Sequence, residues 1–543
     1  MAFTLISDHD RILGLYTGPL WDDRSVSGRL RLAELLGGLS IVADLGYALP
    51  PGEAVRACVL GTRLAEVCGL SDSEVSHTYY TALLRHIGCI GFAHYNFTLT
   101  GDDLQANVTS QRTNFADPRS LMGTMIPGST QGLPPVARAR AAARMVVGGP
   151  KIGNRLETAS CEVARSTARR VGLSGGVQRS LHEVMEWWNG KGNPDGLRGD
   201  DIAVSARVAR TAWEAVVFQR LGGLSMVAEE LGKRSGTVLD PSIVESCVTD
   251  WGDLFAESAE TDPRDMLLDV EPRPVVEIGS AELVAVAEAF ADLIDLKAPF
   301  LQGHSRGVAA LARAAAPAVG LDEAATHDLY LAALLHDLGR AGVSNRVWEK
   351  AGPLTSIEWE EVRMHCYHSE RILSTSRTLE HLAPVAAMHH ERLDGSGYHR
   401  SCHGSAQPMP ARLLACADAF HAMTEWRPHR DALSAEQAAD ELAAEARAGR
   451  FDPEAAAAVI DAAGQQHGEV RPHSWPADLS DREVDVLRLV ADGCSNAEVA
   501  ERLHISRRTA EHHLQHAYTK IGVSSRVAAA LFALEHSLLT HRH

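Results

Sequence analysis

The sequence predicts an all-α protein of several domains, and three features of its composition support this prediction. Alanine is abundant and aromatic residues make up only 5% of the 543 residues, a balance that favours helices over sheets. Hydrophobic residues account for 45% and charged residues for 22%, which supplies enough apolar surface for folded cores. At roughly 100–200 residues per domain, a chain of this length holds about three domains.

The net charge and the cysteine content limit the kinds of protein to which this chain can belong. The net charge of −18 excludes a global cationic field, so any binding of DNA needs a local patch. We expect no membrane partner, because no apolar run reaches the 18 or so residues of a spanning helix. The first residues lack the basic and apolar regions of a signal peptide. The nine cysteines form no Cys-x-x-Cys pair and indicate free thiols, so we expect a cytoplasmic protein.

Two breaks in the helical pattern divide the chain. Residues 251–282 are acidic and contain several prolines, and the stretch around 464–478 contains Gly464, Gly468, Pro472 and Pro476. We therefore expect a first domain over 1–250, a linker over 251–282, a second domain over 283–464, a linker over 465–478 and a small third domain over 479–543.

The two larger domains are predicted to be copies of one helical unit. Residues 81–91, Thr-Ala-Leu-Leu-Arg-His-Ile-Gly-Cys-Ile-Gly, align with residues 332–342, Ala-Ala-Leu-Leu-His-Asp-Leu-Gly-Arg-Ala-Gly, at an offset of 251. A second offset, of 205, aligns residues 189–194 with residues 394–399. Chance similarity between two alanine-rich segments would not keep such ungapped offsets, so the repeat is taken as real.

The second copy concentrates histidine and aspartate within apolar, helix-forming surroundings. A single histidine of this kind is more often a hydrogen-bonded structural residue. A helical core that accumulates seven such groups is expected to satisfy them with cations, because an unpaired buried imidazole or carboxylate is costly. Imidazole and carboxylate donors suit iron, manganese, zinc or cobalt. The candidate metal ligands are His304, His336, Asp337, His365, His389, His390 and Asp418.

These residues carry a resemblance to a known family. The pair His336-Asp337 resembles the HD superfamily of metal-dependent phosphohydrolases, and His389-His-Glu-Arg-Leu-Asp-Gly-Ser-Gly-Tyr-His399 resembles the extended signature of its HD-GYP branch. The resemblance covers about residues 283–462. It implies an all-helical domain with two divalent metals, iron or manganese rather than zinc or cobalt, that hydrolyses phosphodiesters, often cyclic di-GMP.

The resemblance also assigns roles to residues. It implies one metal on His304, His336, Asp337 and Asp418, and a second on His365, His389 and His390, with Asp337 bridging. Three-metal members carry a glutamate where this chain has Phe300, so two metals are expected. Asp337 and Arg340 are the implied catalytic residues. The implied substrate-binding residues are Gly395, Gly397, Tyr398 and Arg427.

Two departures from the family pattern bear on catalysis. Arg340 stands where the family usually has lysine, and an arginine can neutralise a developing oxyanion but cannot donate a proton as a general acid. His399 stands in place of the proline of Gly-Tyr-Pro, so the fixed φ of that position is lost.

The first copy lacks the metal ligands. Arg85, Met185 and Trp213 occupy the positions of His336, His390 and Asp418, and they cannot hold a dinuclear site. One interpretation is a structural relic that packs against its sister domain. The other is a ligand sensor in which cationic side chains meet a phosphate: Arg85, Lys191 and Arg198.

The last 65 residues predict a helix-turn-helix. Ser495-Asn-Ala-Glu498 is a capping box that opens a short helix, and Ser506 caps the next one. The segment 479–538 resembles the LuxR-type DNA-binding domain, with a four-helix fold that binds double-stranded DNA, usually as a homodimer. A bundle that binds protein is the alternative. The resemblance places the third helix in the major groove, with DNA contacts from Arg507, Arg508, Thr509, His513 and Lys520.

Together these features predict a one-component cytoplasmic regulator. In the first mechanism, a metal-dependent phosphodiesterase acts on a nucleotide or cyclic dinucleotide and biases the binding of DNA. In the second, the HD domains sense a nucleotide or metal without significant hydrolysis, and the protein is a transcription factor. A hydrolase of mononucleotides is a third possibility, against which the loop Asp394-Gly-Ser-Gly-Tyr398 argues.

Overall fold

The computed structural model describes residues 29–250, 254–255, 262–402, 404–465, 476–479, 481–503, 505–536 and 538–539. In these ranges the chain is mostly helical, as the sequence predicts. The only strands among the described residues are Leu30–Arg31 (β1) and Glu277–Ile278 (β2), which pair antiparallel. None of the described helices combines the length and hydropathy needed to cross a membrane.

The described part of the first copy contains nine helices of at least eight residues. The third of them starts with the capping box that Ser71 and Glu74 make, and the eighth breaks at Gly222-Gly223, where Gly223 has a φ of 74°. Three-residue to six-residue helical turns fill the gaps between the longer helices. The helices are α1 (Leu32–Gly46), α2 (Glu53–Val67), α3 (Asp72–Leu84), α4 (Ala93–Thr100), α5 (Asp103–Ser110), α6 (Pro135–Arg170), α7 (Gly175–Glu183), α8 (Val204–Arg234) and α9 (Pro241–Thr249).

The second copy repeats the same helix order. Helices α2 and α12 begin 251 residues apart, as do α3 and α13, which is the offset seen in the sequence. Helices α8 and α15 begin 205 residues apart, which matches the second offset. The helices of this part are α10 (Pro263–Asp269), α11 (Ser280–Asp295), α12 (His304–Ala315), α13 (Glu323–Leu335), α14 (Ser356–Ser374), α15 (Met409–Met423), α16 (Ala435–Arg447) and α17 (Pro453–Gln465).

The two copies pack against each other through a shared core. Buried leucines and a phenylalanine from both copies, including Leu36, Leu84, Phe290 and Leu335, belong to one hydrophobic cluster. Inside this contact the Nζ of Lys297 lies 3.3 Å from Asp103 Oδ2, and both side chains are fully buried. Burying such a pair requires close complementarity, so the copies form one body rather than two loosely tethered domains.

Part of the expected linker is structured. Helix α10 and strand β2 lie within residues 251–282, and the hydroxyl of Tyr79 donates to the carbonyl of Leu267 at 3.0 Å. The side chain of Leu267 also reaches the position where a Cβ on Gly37 would stand, so only glycine lets α1 approach this closely. The sequence shows no sustained helical period in this segment because α10 is only 7 residues long.

The C-terminal helices form a small bundle that docks on the first copy. They are α18 (Asp481–Ala491), α19 (Asn496–Arg502), α20 (Arg507–Ile521) and α21 (Arg526–Glu535). Their own core contains Leu487, Val499, Ala510 and Leu514. Helix α21 turns its other face, with Val527, Ala530, Leu531 and Leu534, into the core shared by the two copies.

Candidate metal centre and DNA-binding surface

Five separate elements of the second copy bring the predicted metal ligands together. His304 is the first residue of α12, and His336 and Asp337 directly follow α13. His365 lies in the middle of α14 and Asp418 within α15. His389 and His390 follow the short helix Ala383–Ala387. All seven side chains meet in the interior of the second copy, although their positions span more than a hundred residues.

Asp337 lies at the centre of this cluster, and its two carboxylate oxygens face different ligands. Oδ2 lies 3.1 Å from His336 Nε2 and 3.5 Å from His304 Nε2. Oδ1 lies 3.4 Å from His389 Nε2 and 3.5 Å from His365 Nε2. The first group is completed by Asp418, whose Oδ1 is 3.2 Å from His304 Nε2.

Backbone carbonyls orient three of the imidazoles. Nδ1 of His336 bonds to the carbonyl of Ala333 at 2.7 Å, and Nδ1 of His389 bonds to that of Ala386 at 2.6 Å. His365 makes the same contact with the carbonyl three residues before it. A ring that donates its Nδ1 proton keeps a lone pair on Nε2, which is the state that a metal requires.

Several polar atoms of this cluster are buried without a hydrogen-bond partner among the described residues. They are Nε2 of His304 and His336, both carboxylate oxygens of Asp337, and Oδ1 of Asp418. Leaving so many donors and acceptors unpaired in a core would cost about 1–3 kcal/mol each. The mixed imidazole and carboxylate set fits a divalent transition metal, which would satisfy all of these atoms at once.

The electrostatics of the cluster favour the ligating state of its carboxylates. Burial opposes the charge of Asp337, but Arg340 and His336 hold its pKa well below the usual range. The pKa of Asp418 is likewise low, because His304 and His390 outweigh its burial. Burial lowers the pKa of His365 to about 3. These three side chains are therefore able to accept a cation at neutral pH without first losing a proton.

His390 and the glycine-rich loop lie at the edge of the cluster. Nδ1 of His390 is 3.5 Å from Asp418 Oδ2, and its ring packs on that of Tyr398 with 4.8 Å between centroids. A Cβ on Gly397 would stand only 2.4 Å from the backbone nitrogen of Arg392, so glycine is required there. Gly395 has a φ of 77°, which also favours glycine.

The two predicted arginines border the same cluster. Nη2 of Arg340 lies 2.8 Å from Asp337 Oδ2, and its guanidinium stands 5.2 Å from the centroid of the Trp348 ring. Arg427 lies over the Phe300 ring at 5.2 Å and donates to Glu425 Oε2 at 2.7 Å. Both guanidinium groups are buried, so each is held in place by these contacts rather than free in solvent.

Sequence reasoning missed two residues that touch the ligands. Glu425 Oε2 bonds to Nδ1 of His304 at 2.9 Å and, with Asp418, raises the pKa of that imidazole to about 9 against the effect of burial. Cys366 places its Sγ 3.5 Å from His365 Nε2. No spacing in the sequence links Glu425 to His304, because they meet only through the packing of α12 against α15.

The C-terminal bundle exposes the predicted DNA-binding residues on α20. Arg507, Arg508 and Thr509 are exposed in its first turn, and His513 is partly exposed one turn on. Lys520, near the other end, pairs with the buried Glu483 at 2.7 Å. The helix opens with Ser506, whose hydroxyl accepts from the backbone of Thr509.

Comparisons with known proteins match the second copy and the C-terminal bundle to two families. Residues 288–455 match the HD domain family, and residues 477–533 match the luxR family of bacterial regulatory proteins. A 3'3'-cGAMP-specific phosphodiesterase 3 of Vibrio cholerae serotype O1 is 28% identical over 410 residues, which cover 75% of this chain and 89% of that protein. A cyclic di-GMP phosphodiesterase of Thermotoga maritima is 35% identical over 160 residues, which cover 29% of this chain and 43% of that protein.

A solved structure is similar to this chain over most of its length. The crystal structure of a cyclic GMP-AMP specific phosphodiesterase of V. cholerae aligns with a TM-score of 0.56 at 25% identity. The alignment covers 80% of this chain and 98% of the other. The chain therefore contains an HD domain. It joins this domain to a regulatory domain of the LuxR family, and the resemblance to the HD-GYP branch and to LuxR-type proteins is confirmed.

Proposed function

We propose that the protein is a cytoplasmic one-component regulator in which a dinuclear-metal phosphodiesterase of cyclic dinucleotides is coupled to sequence-specific binding of DNA. The observation that carries the enzymatic part is the placement of Asp337. One of its oxygens faces His304 and His336, and the other faces His365 and His389. A carboxylate between two groups of imidazoles is the arrangement that a bridging ligand of two cations needs.

In this proposal two divalent transition metals, iron or manganese, bind between these residues. His304, His336, Asp337 and Asp418 hold one of them, and His365, His389 and His390 hold the other. The glutamate of three-metal relatives is replaced by Phe300, which supports two ions rather than three. Such a pair of cations lowers the pKa of a bound water and neutralises phosphoryl oxygens. Outer contacts from Glu425 and the backbone carbonyls keep the ligands in position.

The remaining residues position and neutralise the substrate. Arg340 lies beside Asp337 and offers a fixed positive charge to a phosphodiester oxygen, without donating its proton. The loop with Gly395, Gly397 and Tyr398 lies next to His390 and forms one side of the binding site. Arg427, held by Glu425, is the second cation near the site. The names of the relatives, phosphodiesterases of 3'3'-cGAMP and of cyclic di-GMP, support a cyclic dinucleotide as the substrate.

The LuxR-type domain supplies the DNA-binding part of the proposal. Arg507, Arg508 and Thr509 are exposed in the first turn of α20 and contact phosphates or base edges in the major groove. His513, one turn on, and Lys520, near the other end of the helix, make further contacts with the DNA. Domains of this kind bind paired half-sites as dimers. In this chain the apolar face of α21 is covered by the rest of the protein, so a homodimer formed through that face requires undocking of the bundle.

The test of the enzymatic proposal is a hydrolysis assay with matched variants. Protein loaded with Mn²⁺ or Fe²⁺ is incubated with 3'3'-cGAMP and with cyclic di-GMP, and the nucleotides are separated by chromatography. We expect linear products from the wild type and from the control His381→Ala, which removes a half-exposed histidine of the same domain. We expect none from Asp337→Ala. Products that persist in Asp337→Ala would refute the assignment of the site.

The second candidate is a sensor that binds without turnover. Arg340 and His399 favour it, because each replaces a residue that the family uses for catalysis or for the loop beside the substrate. Metal-loaded protein that binds a cyclic dinucleotide but leaves it intact over hours would establish this candidate. In that case Arg340→Lys and His399→Pro are the substitutions expected to restore hydrolysis.

A further inference from the structure

The first copy contains a cavity of about 490 Å³. It lies among α4, α5, α6 and α8 and is bounded on another side by residues 113–126. Arg85, Met185 and Trp213 line it, and these are the residues that the repeat aligns with His336, His390 and Asp418. The cavity thus occupies the place in the first copy that the metal cluster occupies in the second. Its volume falls within the roughly 300–1,000 Å³ of small-molecule sites.

The lining of the cavity carries an excess of positive charge. Arg85, Lys191, Arg210 and Arg234 line it, against two carboxylates. Of these, Glu214 lies 3.1 Å from Arg234 and 3.4 Å from Arg210, so it is already paired. Burial raises the pKa of the other carboxylate, Glu157, and weakens its negative charge. In a chain with a net charge of −18, such a site selects for an anion.

Arg85 is the residue in this cavity with the clearest need for a partner. It is 4% exposed, and its Nη1 and Nη2 reach only the carbonyl of Val184 and the sulfur of Met185. Its Nε has no hydrogen-bond partner among the described residues, and none of their carboxylates pairs with it. A buried guanidinium without a carboxylate is costly, and a phosphate or carboxylate of a ligand would remove that cost.

The walls of the cavity are mainly aromatic and aliphatic. The guanidinium of Arg85 lies 4.8 Å from the centroid of the Trp213 ring, and the Nε1 of Trp213 is buried without a partner among the described residues. Rings of this kind bind planar groups by stacking, and methionine side chains adapt to their outline. The aromatic and methionine residues of the lining are Tyr47, Phe92, Phe115, Met122, Met125, Met145, Met185, Trp187, Trp213 and Phe218.

We propose that this cavity binds a small anion with a planar ring, of the size of a nucleoside monophosphate. The anionic group pairs with Arg85 and the ring lies among the aromatic side chains. Of the three cations that the sequence suggests for a phosphate, Arg85 and Lys191 line the cavity and Arg198 does not. The proposal does not depend on hydrolysis in the second copy.

Helix α6 connects the cavity to the DNA-binding bundle. Asn154, Glu157 and Ser160 of this helix line the cavity. Further along the same helix, Glu162 accepts a hydrogen bond from the backbone of Ser524 at 3.0 Å, and Ser166 donates to Glu535 at 3.0 Å. A ligand in the cavity therefore contacts the same helix that holds the DNA-binding bundle.

The experiment measures binding to the full chain in the Asp337→Ala background, which prevents turnover in the second copy. GMP, AMP, the linear dinucleotides and both cyclic dinucleotides are titrated by isothermal calorimetry, with Trp fluorescence as a second signal. Arg85→Met is expected to weaken binding of the preferred probe at least tenfold, and Arg85→Lys to weaken it less. The control Arg165→Met removes an exposed arginine of α6 and should leave binding unchanged.

Two results would overturn the proposal. One is that none of these probes binds in the Asp337→Ala background. The other is that the preferred probe binds the Arg85→Met protein, shown to be folded by circular dichroism, as tightly as it binds the protein that keeps Arg85. Comparing the affinities of the monophosphates, linear dinucleotides and cyclic dinucleotides distinguishes two sources of the ligand. Either the second copy makes the ligand as a hydrolysis product, or the ligand is a nucleotide from another source. Failure of hydrolysis by the wild type would leave this binding result unaffected.

Discussion

The contact between α6 and α21 predicts how firmly the DNA-binding bundle is docked. The carboxylate of Glu535 is 11% exposed, accepts the hydroxyl of Ser166 at 3.0 Å and lies 3.5 Å from Arg170 Nε. The substitution Glu535→Ala, at the last residue of α21, removes both interactions and a longer contact of 3.9 Å with Arg169 Nη2. Arg170 keeps its second partner, Asp292 at 2.6 Å, so no buried charge is left alone.

The size of the effect follows from these distances. A hydrogen bond from a hydroxyl is worth about 1 kcal/mol. A partly buried ion pair at the longer distance adds about 0.5–1 kcal/mol. The sum of about 2 kcal/mol raises the population of the undocked state about 30-fold, since each 1.4 kcal/mol is a factor of ten. The apolar contacts of Val527 and Leu531 remain, so the bundle still docks in most molecules.

Thiol labelling measures this population directly. Ala530 is 3% exposed on the docked face of α21, and Ala530→Cys places a thiol that reacts only when the bundle undocks. The labelled peptide is followed by mass spectrometry, and we expect labelling about 30-fold faster when Glu535→Ala is added. The control Glu501→Ala removes an exposed carboxylate of the same bundle. Equal labelling rates in the Glu535→Ala and control proteins would refute this account of the contact.

Three further predictions concern the loop, the core and the pH dependence. Gly397→Ala should lower the rate of hydrolysis at least tenfold at unchanged metal content, because the added Cβ would stand 2.4 Å from the backbone nitrogen of Arg392. The control Gly352→Ala should leave the rate unchanged, because no atom lies within 4 Å of a Cβ at that position. Lys297→Met should lower the free energy of unfolding by about 3 kcal/mol in urea, since it removes the cation paired with the buried Asp103 carboxylate and leaves it only the hydrogen bonds from Ser344 and Asn345; a loss below about 1 kcal/mol contradicts this. Burial raises the pKa of Asp44 from 3.8 to about 7, so its contribution to stability is present below pH 3.8 and is lost as the pH rises to about 7. Asp44→Asn should therefore reduce the fall in melting temperature between pH 5 and pH 8, and an unchanged fall would exclude this carboxyl as its cause.

The sequence by itself predicted the repeat, the candidate metal ligands and the two resemblances. Ligands such as His336-Asp337 and His389-His390 are adjacent residues, and local spacing carries their chemistry. The helix starts were also readable, because capping boxes such as Ser495-Glu498 act within four residues. The two repeat offsets reappear as helix starts for the same reason: helix order is a local property, copied with the sequence.

Only the tertiary structure decided which side chains meet over long distances. The bond between Glu425 and His304, the contact of Cys366 Sγ with His389 Nε2 at 3.8 Å and the pair of Lys297 with Asp103 join residues that no periodicity relates. The cavity around Arg85 was likewise hidden, since its walls come from many separate parts of the first copy. These features depend on how helices pack in three dimensions, and packing is set by the summed contacts of the whole core rather than by any local pattern.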